Sequence, residues 1–159
     1  MNIFVLDYNF DKCAQYHVDK HISKLSVEAT QLLNNALIIN NLNYNPVYKP
    51  THLKHPASIW TSKSRENFDW LVNLGLALCK EYTYRYSKTH KCESIILSFQ
   101  TSCYRDNIPD ICLTPFVKCM PDQYKVEDSV ESYRNYYRGE KAYIAKWTNR
   151  SVPEWWELH

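Results

Sequence analysis

Gly75 and Gly139 are the only glycines in a chain of 159 residues. Glycine supplies the positive-φ turns of β-sandwiches and the phosphate loops of doubly wound parallel sheets, so its scarcity disfavours both. What remains is a set of long amphipathic runs, and these predict a mainly α fold. The expected architecture is a compact, single-domain helical bundle spanning 1–159. It has two long antiparallel helices, a short extended N-terminus and an irregular C-terminal third. A chain of this length can bury a sizeable core.

Ile3 to Leu6 is a short apolar run, read as extended and tucked into the core. Asp11 caps a helix to about Asn40, with Val18, Ile22, Leu25, Ala29, Leu32 and Ala36 at helical spacing. Asparagines and prolines mark Asn40 to Pro50 as a loop, and Pro56 opens a short helix. Ser64 begins the second long helix, to about Ser87, with Trp70, Leu71, Leu74 and Leu78 as its apolar stripe. A third helix is predicted over Glu93 to Tyr104, and an irregular stretch over Asn107 to Val126. Helices over Ser129 to Tyr137 and Glu140 to Trp147 are expected to hinge at Gly139, ahead of an aromatic tail.

The net charge of +2 does not by itself imply a polyanionic partner, but its distribution is uneven. Lys49 to Lys91 holds eight Lys or Arg against three acids, together with His52, His55 and His90. Cys92 to Asp128 holds three bases against six acids. One basic sector on a nearly neutral chain suits an anionic ligand, although a solvated positive face explains it equally well. The six cysteines show no CxxC spacing, and Cys13 and Cys79 fall where small core residues belong. The start MNIFVLDYNFDK has no signal-peptide pattern, and no apolar stretch approaches a membrane span. Reduced thiols in an intracellular compartment are therefore expected: host cytoplasm, or nucleoid or nucleus for a DNA-acting protein. The Asn, Ile, Lys and Tyr bias suggests an AT-rich genome, as many viruses have.

At about 100° per residue, His17, His21, Lys24, Glu28 and Gln31 form an ionisable stripe beside the apolar face of the first long helix. Such a stripe can be a cleft wall or an ordinary polar helix boundary. On the second long helix Asn67, Glu81 and Arg85 fall inside the apolar stripe, and Glu81 and Arg85 are spaced to pair. A buried ion pair costs several kcal/mol of desolvation per ion unless it is compensated, so the pair either lines a pocket or belongs to a satisfied core network. His17 and His21 have the spacing of two metal ligands on one helix face, but no HExxH pattern accompanies them. No metal and no cofactor is expected; acid–base or phosphate contact suits these histidines better. Near the C-terminus, aromatic and basic residues alternate from Tyr133 to Tyr143, a pattern that fits either nucleic-acid contact or core packing.

These motifs occur in the order found in a known family. The start MNIFVLDYNFDKCAQYHVDKH, His55-Pro56 followed by Trp60, Glu81 with Arg85-Tyr86 and His90, and the run Tyr-Arg-Asn-Tyr-Tyr-Arg-Gly-Glu-Lys resemble the pyrimidine-dimer DNA glycosylases of the phage endonuclease V type. The chain looks closest to uncharacterised tailed-phage and viral members. The resemblance implies a compact helical protein that binds damaged duplex DNA and draws a nucleotide out of the stack. It also implies an N-terminal α-amine that attacks the sugar C1′ to form a Schiff base, a helix glutamate that assists, and strand cleavage by β-elimination. An α-amine, with an ordinary pKa of about 8, keeps a useful neutral fraction at pH 7. Asn2 is too bulky to favour removal of the initiator, so the amine would be that of Met1. The position matching the family glutamate falls near Ser23 or Lys24, neither a carboxylate; Glu28 lies one turn further on the same stripe. Lys24 is a second candidate amine if burial lowers its pKa.

The leading expectation is therefore a glycosylase/lyase-like protein acting on a damaged or modified base in DNA. Met1, His17, His21, Lys24, Glu28, Glu81 and Arg85 would form the catalytic cleft. His52, Lys54, His55, His90, Lys91, Tyr136, Tyr137, Arg138 and Lys141 would contact nucleic acid. Two other expectations stay open: an enzyme acting on a free nucleotide or modified nucleoside, and a non-catalytic factor that binds a nucleotide signal or a protein. A steep salt dependence of duplex affinity would separate the first from the other two.

Overall fold

The computed structural model describes residues 1–157, and every regular element among them is helical. In order these are α1 (Phe10–Tyr16), α2 (Asp19–Asn40), α3 (Pro56–Lys63), α4 (Arg65–Tyr86), α5 (Cys92–Gln100) and α6 (Ser129–Glu140). Single 3-10 turns lie at Cys103–Asn107, Asp122–Tyr124, Ala142–Ile144 and Glu154–Glu157. Helix starts are fixed by side chains that satisfy otherwise free N–H groups. The Asn9 side chain accepts from Lys12 N–H, Ser64 from Asn67 N–H, and Asp128 from Val130 and Glu131 N–H.

The long helices α2 and α4 pack together, with α3 and α5 against both and α1 against α4. Gly75 on α4 permits this closeness: a Cβ there would stand 2.9 Å from Ile96 Cδ1 of α5 and 3.6 Å from Ala29 Cβ of α2. The predicted stripes are buried, from Ile22 through Ala36 on α2 and from Trp70 through Leu78 on α4. The extended residues Ile3 to Leu6 are also buried, so the N-terminus is threaded into the core. Among the described residues no helix is long and apolar enough to cross a membrane.

Buried asparagines tie the irregular segments to this frame. Asn34 accepts from Val47 N–H and Tyr44 Oη–H and donates to Tyr48 O, which holds the loop after α2. Asn67, the polar residue inside the α4 stripe, donates to Trp60 O and Thr114 Oγ1 and accepts from Thr114 N–H. It is a clamp on the segment following Asn107, not a pocket wall.

Four expectations need correction. The first long helix is two helices, because His17 and Val18 are both extended. A break leaves carbonyls without helical partners, and here tertiary donors take them. Arg85 donates to Gln15 O and His17 O, and Trp147 Nε1–H donates to Tyr16 O. At the other end, α6 runs continuously through Gly139 instead of hinging there. A Cβ at Gly139 would meet the Tyr124 ring, so the glycine lets that ring lie against α6. The expected helix over Glu140 to Trp147 reduces to the turn Ala142–Ile144, and the third helix stops at Gln100.

Candidate active site

The N-terminal residues are held from several directions. Asn2 N–H donates to Glu28 Oε2 at 2.9 Å, and Asn2 Nδ2 donates to Cys119 O at 2.8 Å. Asn2 Oδ1 accepts from Ile3 N–H at 2.8 Å, so the backbone N–H and both side-chain polar atoms of this residue are engaged. The segment beneath it is fixed by Tyr133 of α6, whose hydroxyl donates to Val117 O and accepts from Cys119 N–H. Phe4, fully inside, lies among the His21, Tyr133, Tyr136 and Tyr137 rings. A long apolar anchor and a polar first turn of chain thus bring the α-amine of Met1 beside the middle of α2.

Glu28 is the carboxylate there. Its side chain is only 13% exposed, and Lys24 Nζ stands 3.8 Å from its other oxygen. Lys24 itself is 67% exposed, so the burial that would have made it a second candidate amine is absent. His55 borders the same space. Burial lowers its pKa first, then the positive N-terminus and His52, with Glu28 opposing. His55 Nδ1 accepts from Ala57 N–H as the cap of α3, which places the ring proton on Nε2. The neutral ring keeps Nε2–H as a free donor, and protonation would break the cap. Lys141 completes this side, its ammonium over the Tyr136 and Phe4 rings at 5.2 and 5.9 Å. His52 and Lys54 are exposed on the loop leading to His55.

Other predicted site residues belong to the interior. His17 and His21 are buried, not on a cleft wall. Nδ1 of His17 bonds Cys13 O, and burial pushes its pKa down to about 4. Nδ1 of His21 receives the Tyr137 hydroxyl at 2.7 Å, and burial, aided by His17, Lys141 and Lys24, pushes its pKa to about 3. Tyr137 is fully buried and accepts from Val18 N–H, so it cannot stack on a base. Arg138 donates to Trp155 O and Glu131 and lies over the Trp155 ring.

Glu81 and Arg85 form a satisfied network away from the amine. Arg85 meets Glu81 Oε1 and Asp19 Oδ1 at 2.9 Å, and Arg150 grips both oxygens of Glu81 at 2.9 and 3.0 Å. Thr148 binds Asp19 through N–H and Oγ1. These partners outweigh burial and hold both carboxyls below their ordinary range. The network joins α4, the α1–α2 break and the C-terminal segment. His90 caps α5 by accepting from Cys92 N–H, and Lys91 is exposed beside it.

The pairing of Asn2 with Cys119 has no signal in the sequence. The two are 117 residues apart and meet only in the fold. Among the described residues no cluster of three His, Cys, Asp or Glu is placed to hold a metal ion.

The family model described as Pyrimidine dimer DNA glycosylase matches residues 1–94, more than half of the chain. The match contains α1 to α4 and hence Met1, Asn2, Glu28 and His55. Searches of curated proteins and of solved structures returned no match.

Proposed function

The chain belongs to the pyrimidine dimer DNA glycosylase family, and on that premise we propose that it is a phage- or virus-type repair enzyme, excising a damaged or modified base from DNA through an amine nucleophile. The Met1 α-amine is the attacking group. Its lone pair forms a bond to the sugar C1′ as the bond from C1′ to the base breaks, and the base leaves with that electron pair. The amine loses its proton to Glu28, ring opening yields the imine, and β-elimination then breaks the strand on the 3′ side. The observation carrying this reading is the 2.9 Å contact between Asn2 N–H and Glu28 Oε2. It supplies, from a different turn of α2, the carboxylate that Ser23 and Lys24 do not provide. His55, whose Nε2–H is left free by the Nδ1 cap, exposed His52 and Lys54, and half-buried Lys141 would meet phosphates around the extruded nucleotide.

Borohydride trapping tests this on duplexes carrying an abasic site or a pyrimidine dimer. The expected result is a covalent protein–DNA adduct that persists in Lys24→Ala and disappears when the N-terminal amine is blocked. Peptide mapping of the adduct identifies the attached residue. No adduct on either duplex, with the protein folded, would overturn the lyase reading.

A further inference from the structure

The lysine surplus of the central sector is expressed on the surface. Of its acids, Glu81 and Asp69 are engaged by arginines and Glu66 accepts from Leu113 N–H. Lys49, Lys54, Lys63, Lys80, Lys88 and Lys91 are all exposed, and none makes a salt bridge among the described residues. Two of them, Lys88 and Lys91, stand on the turn between α4 and α5, at the edge of a groove of about 520 Å³. Ser23 and Val27 of α2, Tyr48 of the loop and Tyr82 of α4 also line it. An adjoining hollow of about 390 Å³ shares Ser23, Tyr82 and Lys88 and extends to Tyr86.

The rings are held, not loose. Tyr82 makes edge-on contacts with Tyr86 at 5.1 Å and His90 at 5.0 Å, and Tyr48 leans on Cys92. Of the two bordering acids, Asp19 is taken by Arg85 and Thr148, and Glu93 lies in the first turn of α5, where a helix N-terminus offsets a carboxylate. Aromatic rings between unpaired cations, in a space the size of a small-ligand pocket, match the requirements of an unpaired base with its phosphate. A duplex presents no free base face, whereas a single strand does.

We infer that this groove between α2, the Tyr48 loop and the α4–α5 turn is a second nucleic-acid site, taking unpaired single-stranded DNA. Bases stack on Tyr82 and Tyr48, and Lys88 and Lys91 meet the flanking phosphates. The site is distinct from the amine. Ser23 and Glu28 are five residues apart on α2, which puts them about 140° apart around the helix. The inference does not depend on imine chemistry, because its ligand carries no lesion.

The test is fluorescence anisotropy with a labelled oligothymidylate of about eight nucleotides, within the usual single-strand site size. The whole protein is compared with Lys88→Ala/Lys91→Ala, Tyr82→Leu and Tyr82→Phe. The lysine pair should weaken binding and reduce the slope of log affinity against log salt by about 1.4, as expected for two lost single-strand phosphate contacts. Tyr82→Leu should weaken binding roughly 5- to 150-fold, the loss of one base stack, and Tyr82→Phe should restore it. Circular dichroism establishes that each variant is folded. Unchanged affinity in both the lysine and the leucine variants would overturn the inference. So would thymidine monophosphate binding as tightly as the oligomer, which would make this a mononucleotide pocket. Borohydride adduct formation by the wild type is read separately, so a failed repair assay and a failed groove assay cannot be confused.

Discussion

Lowering the pH from 7 to 5 should remove about 4 kcal/mol of stability through two histidines alone. His17 and His21 are buried, with pKa values pushed down to about 4 and about 3. In the unfolded chain a histidine titrates near 6.5. A depressed folded pKa means that the unfolded state binds more protons as pH falls. The stability is therefore fully present above about 6.5 and is lost as pH drops toward the folded values. Between pH 7 and 5 each unfolded imidazole goes from about one quarter to nearly fully protonated while the folded one stays mostly neutral, and the difference integrates to about 2 kcal/mol per residue. That is a large fraction of the 5–15 kcal/mol typical of a domain. The physical origin is specific: His21 Nδ1 is occupied by the Tyr137 hydroxyl, and His17 Nε2 has no hydrogen-bond partner. Urea unfolding at pH 7, 6 and 5 measures the loss, and His17→Asn/His21→Gln removes both titrations. Asp19 and Glu81 do not interfere, because their carboxyls are held below the ordinary range and lose stability only at lower pH. The double variant should be less stable at pH 7, yet its slope from pH 6 to 5 should be shallower by about 2 kcal/mol per pH unit, nearly two protons' worth. Parallel pH profiles for wild type and variant would refute the reasoning.

Glu28→Gln keeps an oxygen to accept Asn2 N–H but removes the proton acceptor. Imine trapping should slow on the order of 100-fold or more while the midpoint of thermal unfolding barely moves. Glu81→Gln leaves the guanidinium of Arg85, whose side chain is 0% exposed, with Asp19 but without its second carboxylate. A loss toward the lower end of the about 3–5 kcal/mol for breaking a buried pair is expected in urea unfolding. Asn67→Ala strips Trp60 O and Thr114 N–H of their partner and should cost about 1–3 kcal/mol in the same measurement. Proteolysis should then begin after Asn107, where the clamped segment is released.

Periodicity alone made the helices and the core stripes legible. Ile22 to Ala36 and Trp70 to Leu78 repeat at helical spacing, and burial follows that spacing wherever an element packs on a neighbour. The Ser64 cap and the Pro56 helix start were visible for a similar reason, since they act within four residues. The break at His17 was not visible, because the pattern continues through it and the donors that pay for it, Arg85 and Trp147, lie about 70 and 130 residues away in sequence. The candidate site divides along the same line. The sequence marked Glu28, His55 and Lys141 as ionisable residues of interest, but it could not separate them from His17, His21, Glu81 and Arg85. All seven have the same chemistry on paper. Only the tertiary structure decides which of them water and a substrate can reach, because burial, not residue type, sets whether a charged group reacts or holds the frame together.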